Sequence, residues 1–399
     1  MATRRHVLAG AAGALFAGPA TRALADDSVD LHLPGGNGVR ALTDAFPQKG
    51  RMILQRTHPA LLETPFEVFD RGVLTPNDQF FVRWHWGVIP DTVDAAAFRL
   101  AVRGHVTQPL SLSLDELLAM PRTEVVAVNQ CSGNSRGLFQ PRIAGGQWGN
   151  GAMGNARWTG VRLRDVLDRA GVRAGAVAVR FDGLDEPVVP DGPDFRKSLA
   201  VDHARDGEVM LAFLMNGEPL PLLNGFPLRV VVPGWYSTYW VKMLSDIEVL
   251  DAPDDSFWMK TAYRIPDTPN ADVKPGQTGF ATVPISRMNP RSFVTNLVQG
   301  ATAKPGSPVR GVAMGGDCGV ARVDVSGNGT DWQAATLGAD EGPYSFRTWQ
   351  SSLPTTPGPA RLLVRCTNTK GAVQPVQPVW NAGGYMQNRI ETLDLVVAT

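Results

Sequence analysis

The feature that most constrains this chain is the way in which one apolar run ends. Residues 125–128 read Val-Val-Ala-Val, and residues 129–137 that follow are polar and glycine-punctuated, with Cys131 and Arg136 among them. A strand that delivers a thiol into a turn can present a soft ligand to a transition metal. A nearby arginine favours an anion beside that metal. The pattern therefore predicts a strand ending at a metal-binding cysteine, with a buried inert thiol and a solvated turn arginine as the alternatives.

Length and composition indicate a β-rich protein of two domains. The chain has 399 residues, more than one ordinary core holds. Glycine (42) and proline (31) are plentiful while helical periodicity is sparse. Basic and acidic residues balance at 38 each, so we expect no nucleic-acid partner. No apolar run outside the N-terminus is long enough to span a bilayer.

The first 25 residues are typical of an export signal. Residues 3–8 contain the twin arginines Arg4 and Arg5, an apolar run follows to Ala20, and Ala23-Leu24-Ala25 resembles a cleavage site. Twin-arginine export carries folded proteins, which suits one loaded with a complex cofactor before export. The sequence thus predicts a periplasmic enzyme, with a frayed basic terminus as the alternative.

The cysteine count is odd. In an oxidising compartment, Cys131, Cys318 and Cys366 leave at least one thiol unpaired. Cys318 and Cys366 could pair with each other, and the sequence does not decide whether they do. Cys131 is then the thiol left over.

Coarse patterns outline the order of the elements. We expect an irregular wrapping segment over 26–76, a helix opened by the capping box at 113–116, and a second helix over 161–170. A buried strand is expected at 229–233. Residues 266–276 read as a linker, and the short strands after it, at 308–314, 321–326 and 362–365, favour an immunoglobulin-like sandwich.

Residues 80–86 form the second candidate segment. In a strand, Phe81, Arg83 and His85 share one face, and the other face is apolar. A cation beside an imidazole suits an anion, although a solvent-facing strand would also explain it. Further candidates are the residues 154–160, interpreted as a loop feeding the second helix, and Tyr263 near the predicted linker.

Arg229 and Lys242 flank the predicted buried strand at 229–233. An unpaired cation in that position would be costly, and a cofactor phosphate would offset the cost.

These segments, taken in order, resemble the sulfite oxidase family of molybdenum enzymes. The resemblance rests on the Cys131 loop, Phe-Val-Arg-x-His at 81–85, Gly-Phe-Pro-x-Arg-Val-Val-Val-Pro-Gly at 225–234, the Val241-Lys242 pair and Trp258 with Tyr263. It implies a fold class of α+β, β-rich type: a molybdopterin-binding domain over 26–265 and an immunoglobulin-like, dimerisation-type domain over 266–399. The motifs at 310–313, 323–326 and 377–385 carry the resemblance into the second domain.

The resemblance also implies roles for individual residues. Cys131 would be the protein ligand of molybdenum, held together with a molybdopterin. Arg83, His85, Arg136 and Tyr263 would form the pocket for the substrate anion. Cofactor-binding positions by the same resemblance are Phe81, Val82, Arg83, Trp84, His85, Cys131, Arg157, Asp185, Asn224, Arg229, Trp240, Val241 and Lys242.

Two segments depart from the vertebrate pattern. Asn224 stands where vertebrate members carry a histidine before Gly-Phe-Pro, so that cofactor contact must differ or be lost. Residues 235–239, Trp-Tyr-Ser-Thr-Tyr, replace Gly-Ala-Arg and put one cation in doubt. There is no Cys-x-x-Cys-His site, so we expect no haem in this chain.

The function implied by the resemblance is oxidation of sulfite to sulfate, with electrons leaving singly to a separate c-type cytochrome. That partner could be transient or a permanent haem subunit, and the chain itself could form a homodimer. One alternative is a periplasmic reductase of the same fold, acting for example on methionine sulfoxide, though its pocket would be less cationic. Assimilatory nitrate reductase shares the cysteine loop but combines it with flavin and haem domains. Another alternative is an exported binding protein without metal.

Overall fold

The computed structural model describes residues 27–399. The predicted export signal at 1–25 therefore lies outside the described residues. Strands account for 36% and helices for 11% of the structure. The β-rich α+β class expected from the sequence is confirmed.

An antiparallel meander of five short strands begins the described chain. The expectation of an irregular wrapping segment at 26–76 was wrong for residues 28–63, which contain four of these strands. Strands of three to five residues are too short to show a period of two in the sequence. The strands are β1 (Ser28–Asp30), β2 (Val39–Thr43), β3 (Met52–Arg56), β4 (Leu61–Glu63) and β5 (Val82–Arg83).

Two further sheets build the centre of the molecule. One has the strand order β11-β10-β15-β6-β7, and the other β13-β12-β9-β8 with β14 on β12. Their strands are β6 (Arg99–Gly104), β7 (Leu110–Ser113), β8 (Arg122–Gln130), β9 (Met153–Arg162), β10 (Ala178–Asp182), β11 (Lys197–Ala200), β12 (Met210–Met215), β13 (Glu218–Pro219), β14 (Arg229–Val231) and β15 (Asp246–Leu250).

The helices are short, and three of the four within residues 27–399 directly follow a strand. Ser113 and Glu116 form the predicted capping box of α1 (Leu114–Leu118). The second predicted helix, α2 (Leu163–Ala170), begins two residues later than expected and ends at Gly171 in the left-handed region. The others are α3 (Val201–Ala204) and α4 (Phe257–Lys260), with 3₁₀ turns at Phe66–Asp70, Asn77–Gln79, Arg136–Leu138, Leu222–Asn224, Ser237–Tyr239 and Pro269–Ala271.

The C-terminal part is the expected β-sandwich. Its sheets have the orders β18-β20-β24-β23 and β19-β26-β25-β21-β22, behind a two-stranded β16-β17 ribbon whose connection contains most of the predicted linker. The strands are β16 (Arg264–Pro266), β17 (Thr282–Pro284), β18 (Arg291–Val294), β19 (Thr302–Ala303), β20 (Pro308–Met314), β21 (Val320–Ser326), β22 (Trp332–Ala334), β23 (Thr336–Leu337), β24 (Arg347–Ser352), β25 (Gly358–Asn368) and β26 (Glu391–Val397).

The apolar core continues from the central sheets into the sandwich. Phe293 on β18 packs against Phe66, with 5.6 Å between the ring centroids, and belongs to the same buried cluster as the central strands. Cys318 and Cys366 are both buried free thiols, so the structure does not contain the disulfide that the sequence left open. Within residues 27–399, no helix is long and apolar enough to cross a membrane.

Candidate active site

The strand-to-loop segment has the structure that its sequence predicted. The last five residues of β8, Val126–Gln130, are buried, and Cys131 begins the turn. The Cys131 amide donates to the Ala152 carbonyl at 2.9 Å, and the Cys131 carbonyl accepts from Asn134 at 2.9 Å. Because both sides of its backbone are fixed, the thiol has a defined direction.

This thiol contributes to the wall of a cavity that, with the solvent space at its mouth, has an empty volume of about 460 Å³. The wall combines aromatic rings, cations and small polar groups from all the segments that the sequence singled out except 154–160. The lining residues are Phe80, Phe81, Arg83, His85, Asn129, Cys131, Ser132, Phe195, Leu223, Asn224, Arg229, Ser237, Thr238, Lys242 and Tyr263.

The cavity wall carries an excess of positive charge. Arg83, Arg229 and Lys242 line it, and none of the described lining residues is Asp or Glu. Burial lowers the pKa of Arg229 to about 9, and burial lowers the pKa of Lys242 to about 7 against the pull of Asp185. Uncompensated buried cations are costly, so this wall suits an anion.

Backbone carbonyls hold two of these cations in place. Arg229 donates to the carbonyls of Asn224 (2.8 Å) and Trp240 (3.2 Å), and Lys242 Nζ donates to the Arg83 carbonyl at 2.9 Å. Carbonyls fix the position of a cation without neutralising its charge, which remains available to a ligand.

His85 and Tyr263 form a pair within the wall. The Tyr263 hydroxyl lies 2.6 Å from His85 Nε2, and Phe195 stacks on the imidazole with 3.5 Å between ring centroids. Burial, together with the charge of Arg83, holds the pKa of His85 well below its ordinary value, and burial raises the pKa of Tyr263. The pair is therefore a neutral imidazole accepting from a protonated phenol.

Arg136 lies next to the cavity, although it is not among the lining residues. Its Nη2 donates to the Gly383 carbonyl at 3.1 Å, and its guanidinium sits 5.1 Å from the centroid of the Tyr385 ring. Tyr385 in turn stacks on Tyr263 at 5.4 Å. The C-terminal domain thus contributes Tyr385 between an arginine and a tyrosine of the predicted anion pocket.

Arg157 was wrongly predicted to lie at the site. Residues 154–160, expected to form a loop, belong to β9, and the alternation of that strand points Ala156 inward and Arg157 outward. Arg157 pairs there with Glu124 at 2.6 Å and with Glu341 at 3.5 Å.

Five other predicted residues support the site without lining it. Val82, Trp84, Trp240 and Val241 are buried in the core, where the Trp84 indole donates to the Leu223 carbonyl at 3.0 Å. Asp185 is also buried, and burial raises its pKa to about 6.

Sequence reasoning missed several wall residues. Asn129 and Ser132 flank Cys131, so the cysteine segment itself held that signal, and Thr238 lay in the aromatic segment that departs from the family pattern. Phe80, Phe195, Leu223 and Ser237 also line the cavity. Phe195 gave no signal, because its place above His85 depends on tertiary packing alone.

The wall fits a polyanionic metal cofactor. Buried polar atoms with no partner in the described structure include Arg83 Nη1, Arg229 Nε, Asn129 Nδ2, Ser132 Oγ and Thr238 Oγ1. Native proteins rarely leave so many donors unpaired in one place. No group of three or more His, Cys, Asp or Glu among residues 27–399 could hold a metal by itself. A metal bound at Cys131 would therefore need most of its ligands from a cofactor that also occupies these donors.

Comparison with known proteins agrees with this arrangement. The family model "Oxidoreductase molybdopterin binding domain" matches residues 86–258, and "Mo-co oxidoreductase dimerisation domain" matches 284–392. Sulfite oxidase of Gallus gallus is 35% identical over 82% of this chain and 74% of its own length. The chain belongs to the sulfite oxidase family.

The chain is also similar to a mammalian protein and to a bacterial protein of known structure. The mitochondrial sulfite oxidase of Mus musculus is 36% identical over 83% of this chain, which spans 64% of the mouse protein. The crystal structure of the sulfane dehydrogenase SoxCD from Paracoccus pantotrophus superposes with a TM-score of 0.70 at 26% identity, covering 85% of this chain and 87% of that one.

The structure shows how this member of the sulfite oxidase family accommodates Asn224. The Asn224 side chain accepts a hydrogen bond from Lys49 Nζ and donates to the Phe81 carbonyl at 3.1 Å. Lys49 is buried, and its burial lowers its pKa to about 7. A buried lysine thus supports Asn224, which stands where the vertebrate pattern has a histidine.

Proposed function

We propose that this protein oxidises sulfite to sulfate at a molybdenum–molybdopterin centre. The observation that carries the proposal is one buried thiol, Cys131, in a cavity whose wall holds three cations and no described acid. Membership of the sulfite oxidase family supports it, and so does the match to the molybdopterin-binding domain.

The residues of the chain divide into two groups around such a centre. Cys131 would bind the metal through its thiolate, the soft ligand type that suits such an ion. Arg229, Lys242, Asn224 and Thr238 would hold the anionic cofactor through charge-assisted and neutral hydrogen bonds. When bound, the cofactor supplies an acceptor for two electrons.

Arg83 would be the cation that binds the substrate. Its Nη1 is buried without a partner in the described structure, and it shares the wall with the His85–Tyr263 pair. Arg136 lies one layer behind the wall and adds positive charge to it. A sulfite dianion would contact the Arg83 guanidinium, while the Tyr263 phenol orients His85 beside it. The reaction balances as sulfite and water giving sulfate, two protons and two electrons.

We further propose that the electrons pass singly to a separate c-type cytochrome in the periplasm. The twin-arginine pattern of residues 1–25 supports export. Because the chain matches the dimerisation domain of its family, we also propose a homodimer, or a heterodimer with a haem subunit. Sedimentation of the purified protein, alone and with a cytochrome, would separate these assemblies.

Steady-state turnover tests the function directly. Purified, exported protein is assayed for sulfite-dependent reduction of ferricyanide and of cytochrome c, and for methionine sulfoxide reduction with a dithionite-reduced dye. Sulfite turnover without sulfoxide reduction is the expected result. Sulfoxide reduction without sulfite turnover would replace the proposal by the reductase, and neither activity in molybdenum-loaded protein would overturn both.

A further inference from the structure

A contiguous apolar surface lies outside the cavity wall. Val88, Val188, Val189 and Phe257 are exposed, Val188 to 61% and Phe257 to 42%. The amide of Glu186 donates to the Val88 carbonyl at 2.9 Å, which places 186–189 beside 86–88. Isolated exposed valines need no explanation, but a cluster of them does. We call these four residues, with the edges of Trp86 and Trp258, the valine–tryptophan patch.

Two tryptophans fix the loop that carries part of this patch. The indoles of Trp86 and Trp258 both donate to the Pro193 carbonyl, at 3.0 and 2.9 Å. The Phe257 ring packs edge-on against Trp258, with 5.1 Å between centroids. A rigid apolar surface loses little conformational entropy when a partner covers it.

Packed rings connect the patch with the cavity. The Trp258 ring contacts Phe195 at 5.2 Å and His85 at 4.9 Å between centroids, and Phe195 stacks on His85. His85 and Phe195 line the cavity. A single layer of aromatic side chains therefore separates the patch from the site at which two electrons are released.

Acidic side chains outnumber basic ones among the exposed residues next to the patch in the chain. Glu186, Asp191 and Asp255 are exposed next to its residues in the chain, and Lys260 is the exposed base on the same helix as Phe257. Arg196, close by, is held by Asp182 at 2.7 Å and Asp194 at 3.0 Å. An acidic rim around an apolar centre complements a basic partner with an apolar contact area.

We infer that the valine–tryptophan patch is the docking surface for a small, basic one-electron carrier whose cofactor edge is exposed and apolar. The inference rests on the proposed function, because it assigns the surface through which electrons from sulfite leave. Each turnover yields two electrons, so two oxidised carriers dock in succession and each is reduced by one electron. The acidic rim steers them, and the apolar centre holds them beside Trp258.

The test uses the full exported protein with a basic mitochondrial-type cytochrome c as probe. Val188→Lys and Phe257→Lys place a cation on the patch, and Val298→Lys is the matched control, since Val298 is 66% exposed elsewhere. We expect kcat/KM for the cytochrome to fall at least tenfold in both patch variants and to stay within twofold in the control. Ferricyanide turnover and the KM for sulfite should be unchanged in all three.

Binding separates failure of the inference from failure of the function. Calorimetric titration of oxidised cytochrome c should show at least tenfold weaker binding to the patch variants, whether or not sulfite turns over. Absence of ferricyanide turnover would overturn the sulfite proposal alone. Cytochrome rates and affinities within twofold of wild type in both variants would overturn the docking surface. So would a wild-type dimer that dissociates on Val188→Lys substitution, because the occupant would then be a second copy of this chain.

Discussion

The Tyr263 hydroxyl lies 2.6 Å from His85 Nε2. Since the pKa of His85 is held well below its ordinary value by burial and by Arg83, the imidazole accepts this bond in its neutral form. The phenol is the donor, and the remaining ring proton is then on Nδ1. This relationship fixes the direction of hydrogen bonding on the substrate side of the cavity.

The first prediction concerns this pair. Tyr263→Phe removes the hydrogen bond that orients His85 in the cavity wall. We therefore expect kcat/KM for sulfite to fall about tenfold, the equivalent of a hydrogen bond worth about 1.5 kcal/mol. Because burial and the charge of Arg83 hold the pKa of His85 well below its ordinary value, the wild-type profile between pH 6 and 8 should show no acid limb from this residue. The measurement is ferricyanide turnover against pH. A histidine limb near pH 6.5 in the wild type would contradict the assignment.

The second prediction concerns Tyr385. Its ring supports the Arg136 guanidinium and stacks on Tyr263, a cation–π contact worth about 1 kcal/mol. Tyr385→Leu should therefore raise the KM for sulfite about fivefold while kcat changes less. Tyr344→Leu, a tyrosine whose hydroxyl bonds Glu208 instead, is the control. Equal KM values in the two variants would show that Arg136 needs no such support.

The third prediction distinguishes the buried cations from Arg157. Arg229→Met and Lys242→Met should each lower the molybdopterin content of the folded protein severalfold, because each removes a charge from the wall. Arg157→Met should leave the content unchanged, since Arg157 is on the outer face of β9 and bonds Glu124. The pterin is released and quantified by fluorescence. Loss of cofactor in the Arg157 variant would show that Arg157 contributes to cofactor binding.

The fourth prediction is a pH dependence of stability. Lys197 is buried, donates to the Trp258 carbonyl at 2.7 Å, and has its pKa lowered by burial to about 7. The unfolded chain keeps this proton up to about pH 10.4. Between these two values the unfolded state binds more protons, so stability rises with pH, by up to about 1.4 kcal/mol per pH unit.

Lys197→Met should remove the contribution of Lys197 to that slope and leave those of Lys49 and Lys242, whose pKa values are also lowered to about 7. The free energy of unfolding is measured by urea titration from pH 7 to pH 9.5, on wild type and variant in the same cofactor state. Lys304→Met, at an exposed lysine, provides the matched control. Parallel pH curves for wild type and the Lys197 variant would mean that Lys197 stays charged in the fold.

Sequence patterns predicted those parts of this molecule in which local and tertiary preferences agree. The β8–Cys131 turn, the Ser113 capping box and the Gly171 helix end were all predicted correctly. Each depends on residues close together in the chain. Arg83, Arg229 and Lys242 were correctly predicted to lie at the site. Each is a cation in an otherwise apolar segment, where burial is costly unless a bound anion offsets the cost.

What could not be predicted depends on contacts between distant segments. Phe195 precedes β11 and Lys197 begins it, in a segment with no chemical signal. Only tertiary packing brings Phe195 onto His85 and Lys197 onto Tyr263. Tyr385 reaches the site from a different domain. The prediction for Arg157 was wrong because the segment 154–160, expected to be a loop, is part of β9. Side chains alternate along a strand, so that of Arg157 points to the outer face.

Molybdenum content and turnover of two cysteine variants test whether Cys131 holds the metal at which sulfite is oxidised. Cys131→Ser and Cys318→Ser remove buried free thiols from the same chain, one in the cavity wall and one in the sandwich. Molybdenum per chain and sulfite turnover are measured on folded wild type and on both variants. We expect about one molybdenum per chain and full turnover in the wild type and in Cys318→Ser, and loss of turnover in Cys131→Ser. Full sulfite turnover in Cys131→Ser, or well-folded wild type without molybdenum, would contradict this expectation.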